Sequence, residues 1–262
     1  MRTLVSGLGR RVAVAGIILV LMPGLVVAEV SDEAKRQFNN GVEYEKADKP
    51  DSAIAAYTAA LAEAPDYLDA HINVGALYYQ KGDLTNAAQH LEHAVRLDST
   101  QASAYKNLGL VRQQAEEYPA AVAAFTRYLS YQPDDGGAWA SLAQVYKESG
   151  EKAKAVDAYN KALAADPEDY RSAYNLGNIL QEQKKFEAAK AAYLKAIGAK
   201  SNYVEAYYNL AICSHQIDFE SCVPDYEAFI AKAGTSKKWT KQVTQARDII
   251  KQINDYLDVK TD

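Results

Sequence analysis

Residues 172–178 read SAYNLGN, and variants of the phrase recur as HINVGAL at 71–77, YKNLGLV at 105–111 and AYYNLAI at 206–212. Aligning the chain on itself through this phrase puts Gly41, Gly75, Gly109, Ala143, Gly177 and Ala211 at intervals of 34 residues, without an insertion. Twelve positions after each stand Ala53, Ala87, Ala121, Ala155, Ala189 and Val223, and four further on Tyr57, Leu91, Phe125, Tyr159 and Tyr193. Ala60, Ala94, Tyr128, Ala162 and Ala196 follow after three more, and the units close on Pro65, Ser99, Pro133, Pro167 and Ser201. A large residue beside a small one, at helical spacing in two runs split by a short turn, predicts two antiparallel helices in close contact. The small residues mark where backbones approach, and the aromatic rings fill the adjoining gaps.

This order of aromatic, Leu-Gly, Tyr, Ala, aromatic, Ala and Pro over 34 residues resembles the tetratricopeptide repeat family. The expected fold is therefore all-α. The resemblance implies a right-handed α-solenoid of six helix-turn-helix units at 34–67, 68–101, 102–135, 136–169, 170–203 and 204–234, after a short N-terminal segment at 29–33. A C-terminal capping helix and tail are expected over 235–262. There Trp239, Val243, Ala246, Ile250, Ile253 and Leu257 recur at steps of four and three, and such a stripe needs an apolar partner. A free amphipathic helix is the alternative reading of this segment, since Lys238, Lys241, Arg247 and Lys251 line its polar side.

The first 28 residues are a different kind of text. Arg10 and Arg11 precede the apolar run Val12 to Met22, Pro23-Gly24 breaks it, and Val26-Val27-Ala28 offers small residues for a signal peptidase. A signal peptide at 1–28 is expected; an uncleaved anchor running to Ala28 is the alternative. Exported proteins of this build resemble bacterial periplasmic ones, so the periplasm is the expected compartment. Cys213 and Cys222, eight residues apart between them, are expected to pair as a disulfide there, with two buried thiols as the other reading. If one residue is missing from the turn of the sixth unit, Cys222 takes the place of the small residue and Tyr226 that of the aromatic, which puts the two cysteines on facing helices.

Net charge is −5, and removing Arg2, Arg10 and Arg11 with the leader leaves 26 basic against 34 acidic residues, or −8. That balance argues against a nucleic-acid partner, because phosphate binding needs clustered positive charge. No stable membrane insertion is expected after signal cleavage. No Gly-rich phosphate loop or nucleophile elbow appears, and the repeats leave no residues for a catalytic domain, so no enzymatic activity and no cofactor are expected. His90 and His93 lie one turn apart in the second unit and could hold a metal only if a third group joined them; a solvated outer face is the expectation, and no metal site.

The family resemblance implies a concave face lined by the first helix of each unit. Its sixth positions are Asn39, Asn73, Asn107, Ser141, Asn175 and Asn209. These amides are candidates for gripping the backbone of a peptide, each able to donate and accept. Phe38, Tyr79, Tyr174 and Tyr208 are the candidate aromatic contacts, giving apolar zones at the first and last units around a plainer middle. The family's carboxylate clamp, Lys at position five with Asn at position nine, is incomplete: Lys106 is followed by Leu110, and Asn178 is preceded by Tyr174. The expected partner is a protein or peptide, with self-association as the alternative.

Overall fold

The computed structural model describes residues 30–261, so the expected signal peptide lies outside the described residues. They form paired helices: α1 (Asp32–Lys46) with α2 (Pro50–Glu63), α3 (Leu68–Gln80) with α4 (Leu84–Leu97), and α5 (Ala102–Gln114) with α6 (Tyr118–Tyr131). The series continues with α7 (Gly136–Glu148) and α8 (Lys152–Ala165), α9 (Tyr170–Glu182) and α10 (Phe186–Ala199), and α11 (Val204–Ile217) and α12 (Val223–Ala233). A short 3₁₀ turn, Lys237–Trp239, leads into α13 (Thr240–Thr261). No strand occurs among the described residues, and the all-α solenoid expected from the repeat is the observed fold.

Small-on-large packing closes each hairpin. A Cβ added to Gly177 would lie 2.6 Å from the Tyr193 ring, and one on Gly41 2.5 Å from Tyr57, so hydrogen alone lets these rings seat against the facing helix. Tyr57, Leu91, Phe125, Tyr159 and Tyr193 are fully buried there. Between the two helices of a unit the chain turns through one left-handed residue at Asp48, Gly82, Glu116, Gly150 and Lys184, again 34 apart. Glycine fills two of the five; the other three carry a Cβ at φ of 54°, 59° and 58°.

First helices start on side-chain caps where the sequence provides them. Ser31 accepts from Ala34 N at 3.1 Å, Asp135 from Ala138 N at 2.9 Å, and Asp169 from Ser172 N at 3.2 Å. Several second helices instead begin with proline near the first position, as at Pro50, Pro119 and Pro224, where no amide hydrogen is missed. Curvature follows from unequal contact. The first helices of successive units touch one another (α3 with α5, α5 with α7, α9 with α11), and the second helices do not do so to the same extent. The first helices therefore line the inner face. At the C-terminal end, Val243, Ala246 and Ile253 of α13 are buried against Tyr226, Phe229 and Ala233 of α12, with Trp239 packed on Phe229 at 5.7 Å.

Candidate functional site

The inner-face asparagines are not equivalent. Asn73 Nδ2 donates to the Tyr57 hydroxyl at 3.1 Å, and Asn175 and Asn209 bond in the same way to the hydroxyls of Tyr159 and Tyr193. Each pair is separated by 16 residues and joins the second helix of one unit to the first helix of the next. The hydroxyls are completed by other inner-face groups: Tyr159 donates to Gln144 Oε1 at 2.9 Å, Tyr193 to Asn178 Oδ1 at 2.8 Å or Gln181 Oε1 at 2.7 Å, and Tyr57 to Glu45. Burial pushes all three phenols well above the ordinary tyrosine value, so they stay neutral donors. Where the facing residue is Phe125, which has no hydroxyl, the asparagine position holds Ser141. Leu91 faces Asn107, and Asn39 has no preceding unit among the described residues and is exposed, so these two amides are not drawn into a tyrosine pair.

The gap at Ser141 opens a pocket of about 430 Å³ on the inner face. Ala140 and Ser141 form its shallow side, with Gln113, Gln144, Asn175 and the Tyr159 hydroxyl around it and Arg171 at one edge. Asp169, also at that edge, is already committed, since its Oδ1 accepts from Arg171 N and Ser172 N. The Arg171 side chain donates from Nε to the Tyr170 hydroxyl at 3.1 Å. The middle of the groove is thus its polar receptacle, where sequence alone suggested the plainest zone. A second polar pocket of about 370 Å³ adjoins it, lined by Tyr79, Leu110, Gln113 and Tyr118.

The candidate aromatic contacts serve mostly as packing. Phe38 is half-buried against Tyr57 and Tyr67, with ring centroids 5.3 and 4.9 Å away. Tyr174 packs edge-on to Tyr203 at 5.0 Å, and its hydroxyl accepts from Asn209 Nδ2 at 3.2 Å. Tyr208 sits beside Phe229 and Trp239 and lines an apolar pocket of about 400 Å³ with Ile212 and Ile249, so α13 walls off that end of the groove. Tyr79 is the one that borders an open polar pocket.

Lys106, the clamp-position lysine, is engaged within the chain. Its ammonium lies 2.7 Å from Asp135 Oδ2, which also accepts from the Tyr128 hydroxyl at 2.6 Å. Partial burial disfavours the Asp135 carboxylate, but these hydrogen bonds and that of Ala138 N outweigh it and bring its pKa down to about 2. The cysteines depart from the expected disulfide: both are free, buried thiols. Cys213 packs with Tyr193 and Ala196 in the fifth unit's core, whereas Cys222 packs with Tyr226 and Phe229 and points its sulfur at Phe219 O, 3.2 Å away. Two different packing layers claim the two side chains. Burial raises both thiols, Cys213 to about 11, which keeps them protonated. Sequence reading also missed His71, which lies between His90 and His93; its rings and theirs contact at 5.2 and 4.2 Å.

Comparison with known proteins follows the same pattern. A family profile described as Tetratricopeptide repeat matches residues 38–102 and 106–170, and a second of the same description matches 158–191. Comparison with curated proteins finds no match. Among solved structures, MamA is 26% identical with a TM-score of 0.62, over 65% of this chain and 93% of that one. YrrB, described as a TPR protein with an unusual peptide-binding site, is 20% identical with a TM-score of 0.63, over 74% and 98%. The C-terminal part of a TPR repeat-containing protein from Cytophaga hutchinsonii is 15% identical with a TM-score of 0.74, over 86% and 90%. This chain belongs to the tetratricopeptide repeat family.

Proposed function

We propose that the protein is an exported, non-enzymatic adaptor of the bacterial envelope that binds a segment of another protein along its inner face. The family membership supports protein–protein interaction in general terms, and the peptide-binding site described for YrrB is a precedent on the same fold. The observation that carries the reading to a place is the central pocket at Ser141. It is concave and lined by amides and hydroxyls, and it lies where the internal tyrosine–asparagine pairing lapses. An extended or helical segment crossing it would set a side chain among Gln113, Gln144 and Asn175, while Asn107 reaches its backbone. None of the described helices is long and apolar enough to cross a membrane. Residues 1–28 supply the export reading, and in the periplasm the partner would be an envelope protein.

Removing the asparagines together would not test this cleanly, because three of them hold buried hydroxyls. Ser141→Arg is the better probe: the Ser141 hydroxyl bonds only within its own helix, to Gly137 O, and the longer side chain fills the pocket. Crosslinked pull-downs from native envelopes should lose a specific partner in this variant while circular dichroism stays unchanged. An identical set of partners would refute the groove assignment. Self-association is a second reading with its own observation, the exposed apolar residues Ile217, Phe219, Tyr256 and Val259, of which Phe219 and Tyr256 meet edge-on at 5.9 Å. Sedimentation that shifts with concentration in the wild type, and no longer does so in Val259→Asp, would favour it.

A further inference from the structure

The fourth position has the same duty in the fourth and sixth units. Trp139 Nε1 donates to Pro133 O at 2.7 Å and the Tyr207 hydroxyl to Ser201 O at 3.2 Å, each bond tying a unit to the turn before it. In the second unit the position is His71, and its Nε2 lies 2.8 Å from Pro65 O. A carbonyl oxygen only accepts, so His71 carries its proton on Nε2. Its other nitrogen, Nδ1, must then accept, and 2.9 Å away stands His90 Nδ1, which must donate. His93 stacks on the His71 ring with centroids 4.2 Å apart, and its Nε2 is 3.2 Å from Asp66.

The other units show what this arrangement replaces. The place of His90 is taken by Ala124, Ala158 and Ala192, and the place of His93 by Arg127 and Lys161. Arg127 and Lys161 hold permanent cations over Tyr105 and Trp139, at 5.9 and 4.2 Å. The second unit alone builds the joint from three imidazoles. We propose that His71, His90 and His93 form an acid-sensitive joint within the second unit, where it meets the first, locked by the His71–His90 hydrogen bond and released when both rings carry a proton.

The balance of protons makes this directional. One added proton can sit on His90 Nε2 and leave both hydrogen bonds in place. A second proton must go to His71, whose one open position is Nδ1; there it meets the His90 N–H at 2.9 Å, so the pair must separate. The groups around it do not favour that charge: burial leads in disfavouring it, and His93 and Arg96 from α4 add to the effect against a smaller attraction from Asp66 in the preceding turn. The Pro65 carbonyl bond works the other way but is already made in the neutral form. His90, stacked on Tyr78 of α3 at 5.8 Å, is likewise held below the ordinary value by burial and by its two histidine neighbours. Both rings therefore bind protons less readily in the folded chain than unfolded. The stabilisation is complete above the ordinary histidine value of 6.5 and is lost as pH falls from there toward the folded values.

The test converts the second unit to the pattern of the others with His71→Tyr, His90→Ala and His93→Lys in the full chain. Urea unfolding between pH 7.5 and 5 should show the wild type losing about tenfold in its folding equilibrium per pH unit for each histidine kept from protonation. The variant should be flatter by that amount. Equal pH dependence in both proteins would overturn the proposal. A readout independent of the variant's folding is nitrogen-15 NMR of the wild-type histidines. His71 is expected as the Nε2–H tautomer and His90 as the Nδ1–H tautomer, both titrating below 6.5. Either ring in the opposite tautomer, or titrating at the ordinary value, would also overturn it.

Discussion

Replacing Tyr193 by phenylalanine removes one oxygen from the most connected of the buried tyrosines and leaves its ring packing against Gly177 intact. The hydroxyl donates to Asn178 Oδ1 or Gln181 Oε1 and accepts from Asn209. A net hydrogen bond contributes about 0.5–1.5 kcal/mol, and stranding buried partners raises the cost to about 1–3 kcal/mol. Here Asn178, Gln181 and Asn209 are only half-buried on the groove side, so water can replace the lost oxygen. The expected cost is therefore about 1 kcal/mol, at the lower end. Asn209 also donates to Asn178 Oδ1 at 3.0 Å and to the Tyr174 hydroxyl, so it keeps a partial set of partners. The chain contains the compensated version of this change, Phe125 with Ser141. Tyr193→Phe combined with Asn209→Ser should accordingly cost less than the sum of the two single variants, by about 0.5 kcal/mol or more. Urea midpoints of the four proteins give the cycle, and strict additivity would refute the claim that the asparagine row exists partly to satisfy buried hydroxyls.

Two further outcomes follow from the turns and caps. Lys184→Gly should stabilise the chain by about 0.5–1 kcal/mol in thermal or urea unfolding, because a left-handed residue at φ 58° takes the place that Gly82 and Gly150 fill elsewhere. Asp135→Asn should cost about 2 kcal/mol at neutral pH, the rough equivalent of its lowered pKa, with Lys106 and Tyr128 losing a shared partner. Its folded pKa lies below the ordinary value of 3.8, so this contribution is present above that value and disappears as pH falls toward 2. Wild type and variant should therefore converge in stability in strong acid.

The fold was legible because a 34-residue period fixes helix pairing, turn position and packing together; no single unit would have sufficed. The site was legible only in outline. The sixth-position asparagines were read as one row facing a ligand, yet three of them answer to tyrosines 16 residues earlier. Lining up Tyr57 with Asn73, Tyr159 with Asn175, Tyr193 with Asn209 and Phe125 with Ser141 would have exposed the coupling. The histidine cluster escaped because His71 is 19 residues from His90, on the other helix of the unit. Its position in register with Tyr105, Trp139 and Tyr207 was the available signal. The cysteine pairing rested on closeness in sequence, and side-chain direction across two packing layers cannot be read from spacing alone.

The central claim is that the inner face at the fourth unit receives another protein. The most direct measurement places the photo-crosslinking residue p-benzoylphenylalanine at Ala140, inside the pocket, and in a second strain at Asp157, on the outer helix α8. Irradiation in living cells should give a discrete crosslinked band from position 140 that mass spectrometry assigns to one envelope protein, and none of that band from position 157. Crosslinks from position 157 alone, or from neither position while the protein is present at its normal level, would contradict the account.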